Sequence, residues 1–361
     1  MSANLATWGN KLHSGEKTYP IVQHRARFFI ASAILMLAAV GMLLGKGLNP
    51  GIDFTGGTQY VLANVVDTDA SLAENAVAEI DPAQVPRISV LGDNDVRVQL
   101  GELGQDDQRA LGALLAEAYG VPETDISFDQ IGPTWGAEVG AKALQALVIF
   151  LLLVFTVITL YFRAWRMAAA AIIALLHDLL FTVGIYALIG FEVTPASVIG
   201  FLTILGYSLY DTVVVFDKVK ENTQELTAQN RYTYAELANL AVNQTLVRSI
   251  NTSVVALLPV GSILFIGSFL LGAGTLRDIA LALFVGMAVG TYSSVFVATP
   301  LEVALRWRET RIQEHTAKVL ALRESGEAEV VTHADGTVRV GALKPGEHRG
   351  TKAQPRRKGR H

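Results

Sequence analysis

The chain has 361 residues, 51% of them hydrophobic, and a positive mean hydropathy, a composition too apolar for an ordinary soluble domain. Its formal net charge of −4 conceals a sorting, because residues 49 to 138 hold 16 Asp and Glu against 3 Arg and no Lys, a local −13, and the remainder carries +9. The absence of cysteine excludes disulfides and thiolate metal sites.

Apolar runs of about 20 residues, the length that crosses a bilayer as a helix, fall at 28 to 48, 142 to 162, 168 to 190, 194 to 216, 246 to 271 and 276 to 305. The first follows Arg25 and Arg27 but is long and lacks a small-residue cleavage site, so it reads as an uncleaved anchor. Basic residues gather before the first run, between the second and third, between the fourth and fifth, and after the sixth. By the positive-inside rule, segment 1–27, linker 217–245 and tail 306–361 are expected to be cytoplasmic. Residues 49–138 then form an extracytoplasmic domain, and 139–305 carry spans two to six.

Within 49–138 the periodicity predicts a strand at 58–66, a helix at 69–80, strands at 87–91 and 95–100, a helix at 104–119 and a strand at 125–131. "GDND" at 92–95 suits a hairpin turn. The order βαββαβ predicts a small α+β ferredoxin-like sandwich on a polytopic α-helical membrane protein with six transmembrane helices. No catalytic constellation stands out in this domain, which has no histidine. Its carboxylates read as a solubilising surface or, alternatively, as surroundings for an extended chain on an exposed sheet edge.

Ionisable residues inside the spans break the pattern, and each costs at least about 2.5 kcal/mol at the bilayer centre, so each is a candidate for function. His177 and Asp178 sit near the middle of span three, as a relay or as a packed polar pair. Span four opens with Thr194 as a cap and Pro195 in the first turn, and reaches Asp211 about five residues before its apolar run stops at Phe216. Span five runs the other way and places Arg248 at similar depth. A carboxylate whose distance from a guanidinium can change describes a proton relay. A static ion pair, or an arginine that snorkels to the interface, is the alternative. Between these spans Thr233 and Glu236 fit a capping box for a helix along the cytoplasmic face, and Pro259 predicts a kink in span five.

Four stretches together, "GIDFTGG" (51 to 57), "LLHDLLFTVG" in span three, "GYSLYDTVVVFDKVKEN" (206 to 222) and "NQTLVRSINTS" at the start of span five, resemble the SecF family of bacterial protein-export membrane proteins. The resemblance covers about residues 20 to 305. It implies a subunit related in membrane architecture to RND transporters that pairs with a SecD-like protein beside the SecYEG channel, with SecA, YajC and YidC as further partners. Such a subunit sits in the bacterial cytoplasmic membrane and uses the proton gradient to draw unfolded preproteins outward. Carried over residue by residue, the family's membrane acid maps to Asp211 and its span-five arginine to Arg248; His177 and Asp178 stay, on the residues alone, a secondary relay or a packing pair. Gly51, Asp53, Gly56 and Gly57 form the hinge motif or a simple turn. Tyr210 stands where the family often has Asn, and Lys218 and Lys220 where it often has Arg.

No cofactor, metal or enzymatic activity is expected. The tail, with 13 Lys and Arg over 306–361, reads as mostly disordered and suited to anionic lipid. An RND-type small-molecule exporter and an intramembrane aspartyl protease using Asp178 and Asp211 are the rival readings.

Overall fold

The computed structural model describes residues 2–91, 94–267, 274–327, 330–332 and 338–340. Helix α1 (Ser2–His13) leads to α2 (Arg25–Gly45), then to the pair β1 (Asn49–Pro50) and the single-turn α3 (Ile52–Thr55). A sheet domain follows: β2 (Gly57–Leu62), α4 (Ala70–Ile80), β3 (Arg87–Leu91), β4 (Asp95–Leu100), α5 (Gln105–Tyr119) and β5 (Ile126–Ile131). The chain returns through α6 (Pro133–Phe162), α7 (Trp165–Ile189), β6 (Glu192–Val193), α8 (Pro195–Thr223) and α9 (Tyr234–Ser262). It ends in α10 (Gly274–Ser293), α11 (Thr299–Arg306) and α12 (Thr310–Glu324). Among the described residues, six helices are long and apolar enough to cross a membrane.

The sheet runs β3-β4-β2-β5 with every pair antiparallel. Alternation decides which face is buried: Val96, Val98 and Leu100 point at α4 and α5, closing a core with Tyr60, Leu111 and Leu115. Strand β2 stops at Leu62 rather than 66, because Asn64 takes a left-handed φ of 58° and turns the chain away. The hairpin tip at 92–93 lies outside the described residues.

Glycines let the bundle close tightly where α8 meets α10. A Cβ on Gly200 would come within 2.7 Å of the Ala282 Cβ, and one on Gly286 would collide with Ile204. In an apolar solvent, packing of this kind replaces the hydrophobic effect as the cohesive force between helices.

Three sequence expectations are corrected. Helix α6 starts at Pro133, more than two turns before the predicted span at 142, because α3 packs on that early part. Gly136 is required there, since a Cβ would sit 2.7 Å from the Phe54 carbonyl oxygen. The capped amphipathic helix and span five are one continuous helix, α9, which holds Pro259 in its interior and passes into a π-type segment at Ile263–Gly267. The tail is not disordered from its start: α12 buries Ile312, His315 and Val319, so those apolar positions serve packing. Residues 341–361 lie outside the described residues.

The N-terminal segment is clamped to α9 by two buried asparagines. Asn243 accepts from the Tyr19 backbone N–H at 2.7 Å and donates to the Tyr19 carbonyl at 2.9 Å, while Asn239 accepts from the Val22 N–H at 3.1 Å. Such two-way amide bonds satisfy backbone groups that no regular element pairs.

Candidate functional site: two acids in a cage of hydroxyls

The apolar runs of α7 and α8 each carry one fully enclosed acid. Asp178 and Asp211 are buried, the latter 7% exposed. Helix α8 is fixed at its start by a capping box in which Thr194 and Ser197 exchange hydrogen bonds, with Pro195 in the first turn. That phase points Ser208 and Asp211, three residues apart, to the same side of α8.

Each carboxylate takes two hydroxyl donors. Ser208 and Ser293 donate to the same oxygen of Asp178, at 2.5 and 2.7 Å. Ser249 donates to Oδ1 of Asp211 at 2.7 Å, and Ser294 donates to its Oδ2. The adjacent serines 293 and 294 therefore serve two acids from two different helices. A π-type segment, Ser294–Ala298, begins at this place and carries α10 into α11. Segments of this kind concentrate at functional positions in helices. Gly290 completes the cage, since a Cβ there would stand 3.0 Å from the Ser208 Cβ and 3.6 Å from Asp178 Oδ2.

His177 approaches Asp178 through Nδ1, 3.1 Å from Oδ1, and its ring stacks on Phe181. Its Nε2 finds no hydrogen-bond partner among the described residues, and the ring borders an apolar groove with Leu35, Phe181 and Tyr292. The structure thus joins His177 and Asp178 to each other, and joins them through Ser208 and the serine pair to the neighbourhood of Asp211.

Arg248 lies at the depth of Asp211, next to Ser249 in sequence, but does not face the acid. It is exposed and donates to the Tyr210 hydroxyl at 3.1 Å. Asp211 receives the next residue of α9, Ser249, instead. The reason is helical phase: neighbouring residues diverge by about 100°, so only one of positions 248 and 249 can face the acid. Arg248 borders a polar cleft of about 350 Å³ with Asp217, Lys218 and Glu221.

The hinge residues are held rather than free. Gly51 donates its N–H to the Val193 carbonyl at 2.9 Å, and β1 pairs in parallel with β6. Glu192 lies between them and the sheet, with Arg97 at 2.6 Å and the Gln99 amide at 2.7 Å. Burial raises the Asp53 carboxyl above its ordinary value, helped by the charge of Glu192 and opposed by Arg97. Gly56 and Gly57 have φ of 74° and 135°, which other residues rarely adopt.

A second polar cluster was invisible from sequence. At the end of the bundle away from the sheet, Glu302 is fully buried, accepts from the Tyr234 hydroxyl and lies 3.6 Å from Arg306. Arg306 forks onto Glu309 at 3.0 and 3.1 Å, and Arg166 reaches Glu309 at 3.0 Å. Burial alone would push Glu309 up, but the hydrogen bonds and charges of Arg306 and Arg166 outweigh it and hold the carboxyl below its usual 4.5. A depressed carboxyl contributes stability that is present above its unfolded value and is lost as pH falls through the folded one. Thermal stability in detergent is therefore expected to decline as pH is lowered below about 4.5, and Glu309→Gln is expected to flatten that decline; superimposable pH profiles would contradict the assignment.

Six apolar helices, a sheet domain inserted after the first and acids caged at the centre of the bundle define a polytopic membrane protein with internal polar chemistry. Comparison narrows the class. The family described as protein export membrane protein SecD/SecF, C-terminal, matches residues 112–308, and the SecD/SecF GG motif matches residues 41–63. A protein translocase subunit SecF from Streptomyces coelicolor is 46% identical over 327 residues, covering 90% of this chain and 87% of the relative. One from Mycobacterium tuberculosis H37Rv is 41% identical over 326 residues, covering 88% and 74%. The crystal structure of SecDF, a translocon-associated membrane protein from Thermus thermophilus, superposes with a TM-score of 0.72 at 32% identity over 81% of this chain. This chain spans 39% of the length of that one. The chain belongs to the SecF family of protein translocase subunits.

Proposed function

We propose that the chain works with a SecD-like partner beside the SecYEG channel to draw preproteins outward, with Asp211 carrying the protons whose movement down the gradient supplies the work. The observation that carries this reading is an acid enclosed in an apolar bundle, held by hydroxyls rather than by a fixed counter-charge. A carboxylate so placed is stable when it bears a proton or when a cation comes to it. Arg248 is one residue out of phase from Ser249, the group Asp211 now holds. A turn of α9 by about 100°, the angle between successive residues, exchanges the hydroxyl for the guanidinium at Asp211. One state suits a proton on the acid and the other suits its release. The cleft with Asp217 and Glu221 offers the released proton a polar route.

The fusion of a SecD part and a SecF part in the Thermus thermophilus relative supports a SecD-like partner. Exposure of Arg248 and Tyr210 within the apolar length of the bundle supports it too, because a guanidinium facing lipid is costly. SecA, YajC and YidC belong to the same assembly in this reading, and the basic tail meets anionic lipid. The chain is not an enzyme in this reading. Asp178 and Asp211 engage separate serines, which speaks against two acids sharing one water.

The test is preprotein translocation into energised inverted vesicles that contain the SecD-like partner, with and without this chain. Stimulation that requires the chain and is abolished by an uncoupler is expected; an identical response without the chain would sink the reading. The proposed orientation, with the sheet domain outside a bacterial cytoplasmic membrane, has its own check. Because the chain lacks cysteine, Val66→Cys, at a position 98% exposed, is expected to react with an impermeant maleimide on intact spheroplasts. Glu314→Cys on α12 is expected to react only after permeabilisation, and the reverse pattern would invert the topology.

A further inference from the structure

The sheet ends in two edge strands, β3 and β5, each paired on one side only, and of these β5 borders a groove. Strand β5 pairs only with β2, and every one of its side chains from Ser127 to Gln130 is exposed. The bond from the Ala63 N–H to the Asp125 carbonyl at 3.0 Å sets the phase of this antiparallel ladder. Residues opposite each other in such a ladder alternate between bonded and unbonded pairs. Ser127 and Asp129 therefore bond inward to β2, and the backbone groups of Ile126, Phe128 and Gln130 point out to solvent. An open row of N–H and C=O groups is a template for another strand.

Beside this edge lies a groove of about 610 Å³ between β5 and α5. Its floor is aromatic: Phe128, 44% exposed, meets the buried ring of Tyr60 at 5.2 Å between centroids. Its far wall is low because α5 presents Gly112 and Ala113 there, while Arg109 and Glu123 stand on its rim. The Tyr60 hydroxyl donates to the Gln108 carbonyl at 2.7 Å and is pushed up to about 12 by burial, so the floor is uncharged. The outward backbone groups and the Ile126 and Phe128 side chains belong to the same residues. A strand added at this edge would thus bond to the backbone and lay every second side chain into the groove.

We propose that this edge and groove bind an extended, unfolded segment of the polypeptide in transit, chosen by backbone geometry rather than by sequence. The inference rests on the export reading above. Three observations favour that occupant. Main-chain bonding tolerates any non-proline sequence, which a carrier of unlike preproteins needs. The apolar floor takes alternate side chains of a chain that has not yet buried its own. The local charge of −13 over residues 49–138 attracts segments rich in Lys and Arg and disfavours the acidic domain of a second copy.

The experiment uses the whole complex in energised vesicles and a preprotein arrested by a folded C-terminal domain, carrying single cysteines at successive positions. With Phe128→Cys, oxidation is expected to give disulfide adducts that recur at every second preprotein position. Val90→Cys, exposed on the opposite edge strand β3, is expected to give at least about fivefold fewer adducts. Ala113→Trp, which fills the groove from an exposed position, is expected to reduce the Phe128→Cys ladder about as much while leaving assembly with the partner intact. Absence of the ladder, equal adducts from both edges, or adducts with the partner subunit instead of the preprotein overturns the proposal. If translocation still depends on the chain in those vesicles, the groove assignment alone has failed; if it does not, the export reading has failed with it.

Discussion

Asp211→Asn is expected to remove the response of translocation to the proton gradient while leaving the subunit assembled. Asparagine keeps the shape of the side chain, and its carbonyl oxygen still accepts from Ser249, which now donates at 2.7 Å. It cannot take up or release a proton. In energised inverted vesicles an uncoupler is therefore expected to slow the wild type severalfold and to leave the already slow variant unchanged. One elementary charge crossing 100 mV is worth about 2.3 kcal/mol, and each 1.36 kcal/mol is about tenfold in rate, so roughly fiftyfold bounds the effect per proton at that potential. A variant that keeps the full response to the gradient would make Asp211 a buried structural acid. Ser294→Ala separates the hydroxyl from the proton: it removes one donor from Asp211 and is expected to weaken the response only partly.

The largest stability effect is expected at the end of the bundle away from the sheet. Arg306→Ala strips the guanidinium from Glu302, a fully buried acid whose Oε2 has no hydrogen-bond partner among the described residues even with the arginine in place. Breaking a buried pair by removing one partner typically costs about 3 to 5 kcal/mol. The lower part of that range is expected, because the arginine side chain is 21% exposed and its charge is partly screened. Replacing both members, Glu302→Leu with Arg306→Leu, removes the orphaned charge and is expected to recover most of the loss. Thermal unfolding in detergent of Glu302→Leu, Arg306→Leu and the double closes the cycle. Additive losses in the double would show that the two residues do not act as a pair.

Much of this was legible in the sequence, and for identifiable reasons. Apolar length marked the helices that cross the bundle, Thr194 followed by Pro195 marked the start of α8, and Thr233 three residues before Glu236 marked the start of α9. Strand alternation around Val96 and Val98 marked the buried face of the sheet. Asp178 and Asp211 were visible because a charge inside an apolar run is expensive and therefore conspicuous. Their partners were not. Serine is unremarkable in a membrane helix, and only tertiary contact shows that Ser249, Ser293 and Ser294 reach acids. Arg248 was visible as a charge at a given depth, but not the way it faces, since one residue of phase moves a side chain by more than a quarter turn. Glu302 and the asparagines of α9 gave no signal in the sequence, because burial by the N-terminal segment and α12 depends on chain remote in sequence.

The short parallel pair between β1 and β6 has a mechanical meaning. It ties the neck of the sheet domain, at residues 49–50, to residues 192–193, immediately before Thr194 caps α8. Arg97 and Gln99 grip the same Glu192 from the sheet itself. Load on the domain thus enters the bundle through the first residues of α8 as well as through the flanking helices α2 and α6. A hydrogen-bonded helix is stiff along its axis, and Asp211 lies roughly 25 Å down it at 1.5 Å per residue. The strut that bears tension from the domain is the same rod that carries the acid, so in the proposed reading a tug on one end and the occupancy of a proton near the other are two readings of a single displacement.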